Sequence, residues 1–254
     1  MAGAWFASAW KAWAAALVLT ASIATPALAA SGDCPAVPPR TPMPPEAVPG
    51  MTDLQFWKDE TAALDAKLPS LQLSTRRLVF LGDSITAGWD AGLFSQFYGT
   101  RAPVLLGIGG DGTQGVLARL PQEWGPLRPR LVVLLIGTNN LPYSTPDNIA
   151  LGTAEIVRWI HRHSSETRVL ILGILPRGPN PADPLRQKSA EVNRLVAQCA
   201  DNRTTFYTDV GRYLVDPAGN LSNEVAFDLL HPTPVGYAII ATALEPEIKR
   251  IMGE

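Results

Sequence analysis

A chain of 254 residues, 46% of them hydrophobic, holds enough material for a sizeable core in one large domain or two small ones. A formal net charge of −2 without a basic run argues against nucleic acid as a partner. The two cysteines are far apart, with no His or acid cluster at ligand spacing beside them, so no metal site is expected.

The first thirty residues stand apart. Lys11 is their one charged side chain, Ala12–Ala24 is an apolar run rich in Ala, and Ala27-Leu28-Ala29 has the small-x-small form of a cleavage site. Residues 1–30 therefore read as a secretory signal peptide rather than a retained anchor. Cleavage leaves no stable membrane insertion and a periplasmic or secreted protein. Asp33 spoils a lipoprotein box at Cys34, which wants a small residue there. In an oxidising compartment Cys34 and Cys199 either form a disulfide that pins the N-terminal arm or remain as two inert thiols.

Residues 31–52 form a Pro-rich arm. Seven Pro within Cys34–Gly50 exclude regular structure and predict an extended segment, laid on the domain or trailing from it. The domain proper, 53–254, opens with a helix from Asp53 to about Leu68. Apolar runs follow at Leu78–Gly82, Pro103–Ile108, Leu131–Ile136 and Arg168–Leu175, with a weaker one at Thr204–Thr208. Helical patterns lie between and after them at Thr113–Leu120, Asp147–His163, Pro184–Ala200 and Pro234–Ile251. Strand runs that are apolar throughout, alternating with helices, predict an α/β domain of about five parallel strands with helices on both faces.

Functional residue types gather at the ends of the strand runs. Ser84 follows the first run within Gly82-Asp83-Ser84-Ile85, at the carboxyl edge of the sheet, where open α/β folds place their sites. The second run leads into Gly107–Gly112, which fits G-x-G-x-x-G. A dinucleotide site also needs an acid about twenty residues on, and no Asp or Glu occurs between Gly125 and Pro146. The glycines suit close approach of a backbone N–H to a substrate oxygen, or a structural turn. The third run ends in Gly137-Thr138-Asn139-Asn140, where the Asn139 amide is placed to donate to a developing oxyanion. Before the last helix, Asp228 precedes His231 by three residues in a loop stiffened by Pro232 and Pro234. An acid so placed can fix the imidazole tautomer and turn Nε2 toward a nucleophile. His161 and His163, two apart at the polar end of a predicted helix, are expected to be solvated.

Each piece alone is an ordinary cap, turn or loop; together, on one sheet edge, they resemble the SGNH, or GDSL-type, esterase family. The likeness rests on GDSI at Gly82–Ile85, Gly110 before Asp111, GTNN at Gly137–Asn140 and DLLH at Asp228–His231, and it covers about Val79 to Met252. Within the family it extends to platelet-activating-factor acetylhydrolase catalytic subunits through GIGGDGTQGVLARL at Gly107–Leu120 and LGILPRGPNPADPLRQKSAEVNRL at Leu172–Leu195. The resemblance implies a flavodoxin-like three-layer sandwich with strand order 2-1-3-4-5 and cofactor-free ester hydrolysis. It assigns Ser84 as nucleophile, His231 as base and Asp228 as third member. The Ser84 N–H, the Gly110 N–H and the Asn139 side chain become oxyanion donors. It also implies a small-molecule ester as partner, and by analogy a homodimer. The leader and Pro-rich arm depart from the intracellular relatives and suggest an exported enzyme. No Met- or Leu-rich insertion offers a lid for a fatty chain, so short acyl esters, acetyl above all, on carbohydrates or small lipids, are expected. Trp89 and Leu105 line the acyl pocket or belong to the core. A lysophospholipase or thioesterase, and a non-catalytic glycan-binding module, are the alternatives.

Overall fold

A computed structural model describes residues 34–254; the leader expected at 1–30 lies outside the described residues. Five strands form one parallel sheet: β1 (Leu78–Gly82), β2 (Pro103–Gly107), β3 (Leu131–Leu135), β4 (Arg168–Leu172) and β5 (Thr205–Thr208), in the order 2-1-3-4-5. β1 and β3 are central, and every residue in them is buried, which is why their sequences are apolar without alternation. The order reverses between β1 and β3, so the crevice at their carboxyl ends is the natural site of such a fold.

Alternate side chains feed two cores. Val79, Leu81, Val132 and Leu134 pack with α4 (Thr113–Trp124), α5 (Pro146–His163) and α6 (Pro184–Ala197). Leu78, Phe80, Leu131 and Val133 pack with α3 (Ala91–Tyr98) and α7 (Pro234–Met252). The layers are helix, sheet, helix. α1 (Gln55–Lys67) precedes the sheet, and a single turn, α2 (Ser84–Ala87), follows β1. Among the described residues no helix is long and apolar enough to cross a membrane.

Several boundaries differ from the sequence reading. α3 has no counterpart there, because eight residues carrying Gly, Ser and Tyr give too little periodicity. α4 runs through Pro121 to Trp124 instead of stopping at Leu120. β4 ends at Leu172: the Gly173 N–H still donates to the Thr208 carbonyl at 2.9 Å, but the Ile174 N–H is taken by Asn193 Oδ1 at 2.8 Å. Of the two readings of Trp89 and Leu105, the structure shows the core one. Trp89 is buried in an aromatic cluster with Phe80, Phe94, Tyr98 and Tyr237, and Leu105 packs against the same core half-buried. His161 is buried, not solvated, because it extends the inward stripe Ala150, Ala154, Val157 at helical spacing. His163 is exposed and stacks on Trp159.

The Pro-rich arm is laid on the domain. One 3₁₀ turn, Pro45–Ala47, interrupts its extended course, with Pro at the first position where its missing N–H costs nothing. Thr113 Oγ1 donates to the Glu46 carbonyl at 2.7 Å, and the Arg158 guanidinium donates to the carbonyls of Cys34 and Val37 at 3.0 and 2.6 Å. Cys34 and Cys199 form a disulfide, which resolves the two readings of that pair.

Candidate active site

β1 delivers Ser84. A Cβ on Gly82 would lie 2.1 Å from the Leu135 carbonyl oxygen, so a glycine lets the ends of β1 and β3 converge. Asp83 then leaves the strand as an N-cap, its Oδ1 accepting the Ile85 N–H at 3.0 Å, and Ser84 opens α2. The Ser84 Oγ stands 2.9 Å from His231 Nε2.

His231 is held by a loop closed on itself at its base and tied to a second loop at its turn. A bridge between Ala226 and Pro232 closes its base, and the Phe227 N–H donates to the His231 carbonyl at 3.1 Å. Asp228 Oδ1 accepts the N–H groups of Leu230 and His231 at 3.0 and 2.7 Å, while Oδ2 lies 2.7 Å from His231 Nδ1. The turn forces Leu229 into the left-handed region, φ 61°, a conformation that costs about 1–3 kcal/mol for a non-glycine residue. The Gly178 N–H donates to the Leu229 carbonyl at 2.9 Å and ties the turn to the loop after β4. Partial burial pushes the Asp228 carboxyl up, but the His231 N–H, the imidazole and the Leu230 N–H outweigh it and hold the group below its ordinary range. An ionised Asp228 accepts a hydrogen bond from His231 Nδ1–H and so keeps the ring proton on Nδ1, which leaves Nε2 as an acceptor facing the Ser84 hydroxyl.

The second and third strands bring the other candidates alongside. Gly82 is in register with Gly107 on one side and Leu135 on the other. Gly110 has φ +71°, and a Cβ there would meet the Phe56 ring at 2.7 Å. The Asn139 amide donates to the Asp111 carbonyl at 3.0 Å, so Gly110 and Asn139 are coupled through the residue between them in space. Arg177 donates to the Thr138 carbonyl and hydroxyl at 3.0 and 3.2 Å and fixes the loop from the far side.

Several supporting residues went unread in the sequence. The first turns of α1 clamp the Gly109–Asp111 loop: Glu60 accepts the Gly109 N–H, and Trp57 Nε1 donates to Asp111 Oδ1 at 3.1 Å. Arg119, on α4, is fully buried and donates to Asp111 Oδ2 at 2.7 Å, to both Glu123 oxygens, and to the carbonyls of Gly82 and Leu106 at 2.9 and 3.1 Å. Its signal was an Arg–Glu pair at i, i+4 on the inward stripe of α4. Among the described residues no group of three or more His, Cys, Asp or Glu gathers as metal ligands.

An open α/β sheet with Ser, His and Asp linked at its carboxyl edge defines a class of serine hydrolases. The family model for GDSL-like lipases and acylhydrolases matches residues 80–239. The chain is 34% identical over 180 residues to human platelet-activating factor acetylhydrolase IB subunit alpha1, covering 70% of this chain and 77% of the relative. It therefore belongs to the GDSL-like lipase/acylhydrolase family, and it is a carboxylic ester hydrolase. Two solved structures share its fold. One is a GDSL-like lipase from Bacteroides thetaiotaomicron, with 21% identity, TM-score 0.61, and coverage of 75% of this chain and 97% of that one. The other is a catalytic mutant of an acetylxylan esterase from Geobacillus stearothermophilus, with 20% identity, TM-score 0.55, and coverage of 70% and 94%.

Proposed function

We propose that this protein is an exported serine esterase that hydrolyses short-chain esters, acetyl above all, carried by carbohydrates or small lipids. The observation behind the reading is the line of hydrogen bonds from Ser84 Oγ through His231 to Asp228, at 2.9 and 2.7 Å. Ser84 Oγ attacks the ester carbonyl carbon as His231 Nε2 takes its proton, and Asp228 steadies the imidazolium. The electron pair of the carbonyl moves onto oxygen, which the Ser84 and Gly110 N–H groups and the Asn139 amide receive. One Asn139 amide proton stays on the Asp111 carbonyl, which orients the group and leaves its second proton for the oxyanion. The intermediate expels the alcohol with the proton from His231. Water, deprotonated by the same imidazole, then attacks the acyl carbon, and the acid leaves as Ser84 is restored. The cycle asks for no cofactor.

The acetyl preference draws on the acetylhydrolase relative, the acetylxylan esterase fold neighbour and the lack of a lid-forming insertion. Export draws on the leader sequence, and a disulfide in the described domain suits an oxidising compartment. The test is Ser84→Ala against the parent on p-nitrophenyl acetate, with a chain-length series of the same esters. The variant is expected to keep its circular dichroism and lose on the order of 10⁴-fold or more in kcat. A fluorophosphonate should label Ser84 in the parent and nothing in the variant. Parental turnover by Ser84→Ala would end the assignment, and a rate that climbs with acyl length would move the substrate to fatty esters.

A further inference from the structure

The loop that holds His231 carries an exposed aromatic ring that the reaction cycle leaves unused. Phe227 precedes Asp228 and is 61% exposed. Its N–H donates to the His231 carbonyl at 3.1 Å and its own carbonyl accepts from Asn223 Nδ2 at 2.8 Å, so its backbone is fixed on both sides. The ring lies against the His231 imidazole with centroids 5.7 Å apart and planes 18° from parallel. Isolated apolar side chains in water are common and need no explanation. This one differs because it is held rigidly beside the catalytic base.

His231 Nε2 stands 2.9 Å from Ser84 Oγ, and the departing alcohol must bring its oxygen to that same nitrogen to be protonated. The carbon skeleton on that oxygen is thereby carried to the His231 side of the centre, where Phe227 presents its ring. A second exposed ring, Phe56, lies on Gly110 at the oxyanion side. Apolar faces thus border both the base and a donor.

Resting on the esterase reading, the geometry points to Phe227 as the platform for the leaving alcohol, one whose esterified hydroxyl sits on a rigid six-membered ring. Such a ring lays a whole face on the phenyl group and has few rotamers to lose, whereas an acyclic alcohol gives up torsional freedom to make the same contact. The ring is a pyranose or an aryl group; both offer this face.

The experiment measures kcat/KM of the parent, Phe227→Ala and Phe227→Tyr on three acetates: phenyl acetate, a mono-O-acetylated methyl xyloside and ethyl acetate. In Phe227→Ala the ratio of a ring acetate to ethyl acetate is expected to fall about tenfold, the size of one well-placed aromatic contact, and Phe227→Tyr should restore it. A fall confined to phenyl acetate names the aryl source, and a fall confined to the xyloside names the sugar. If the ratios do not move, including the case where all three rates drop together, Phe227 only steadies His231 and the platform is overturned. A parent inactive on every ester would overturn the esterase reading and this inference with it.

Discussion

Asp83 sits between β1 and Ser84 with one carboxylate oxygen on the Ile85 N–H and the other buried without a hydrogen bond. Burial pushes its carboxyl up to about 7; the Asp111 charge adds to this, and the Ile85 N–H and Arg119 oppose it. The folded state therefore binds a proton more tightly than the unfolded chain. The stabilisation from this group is complete below the unfolded value near 3.8 and is lost as pH rises through about 7. Asp83→Asn keeps an acceptor for Ile85 and removes the titration. Urea unfolding at pH 5 and pH 8 should show the parent losing on the order of 2 kcal/mol more than the variant over that interval. Equal losses would place the Asp83 titration below pH 5. At this scale the motifs told which residues meet: Ser84 lies within hydrogen-bond reach of His231, and His231 of Asp228, as their spacing on the sheet edge led one to expect. The sequence was silent on the protonation state of Asp83, which depends on burial and on Asp111, a residue 28 positions away whose side chain faces it only in the fold.

Among the elements, α4 carries the largest concentration of buried charge. Arg119 spends all five of its N–H donors on Asp111, Glu123 and the carbonyls that end β1 and β2, so one side chain joins the strand before Ser84 to the loop that presents Gly110. Arg119→Met would strand two buried carboxylates and two strand-end carbonyls. The expected loss is about 3–5 kcal/mol in urea unfolding, and Arg119→Lys, which cannot reproduce the planar fork, should recover a part of it. A loss below about 1 kcal/mol would mean that Asp111 and Glu123 are buried as neutral acids and do not depend on the guanidinium. The strands were legible because Leu78–Gly82 and Leu131–Leu135 are buried on both faces and leave an unbroken apolar run. α3 was not, because its short stretch owes its helix to Phe94 and Tyr98 packing on Phe80 rather than to its own pattern. The continuation of α4 past Pro121 likewise depends on Leu120 and Trp124 being buried in the core, which compensates for the lost backbone donor.

Taken whole, the molecule is a sheet domain with a strap. Among the described residues the arm runs from the Cys34–Cys199 disulfide beyond the end of α6, lays its Pro45–Ala47 turn on α4 and α5, and passes the Gly50 N–H to the Gln114 carbonyl at 3.0 Å. It then feeds α1, whose Trp57 and Glu60 hold the Gly109–Asp111 loop. Composition gave an extended arm, and the cysteine pair allowed two states; the path of the arm was hidden because its partners, Arg158, Thr113 and Gln114, are polar residues on helices remote in sequence. The bridge spans 165 residues, so the covalent link restricts a large part of the unfolded chain. Removing it with Cys34→Ser/Cys199→Ser, or with reductant, is expected to cost about 2–4 kcal/mol, or roughly 5–15 °C in melting temperature for a domain of this size. The sheet does not pass through the arm, so far-ultraviolet circular dichroism at 20 °C should keep its parental form. Activity should decline at temperatures below the main transition, because a released arm frees α1 from the loop that carries Gly110. If the reduced protein melts where the oxidised one does and keeps parental turnover up to that point, the contacts of Arg158 and Thr113 hold the arm by themselves and the disulfide adds nothing to the site.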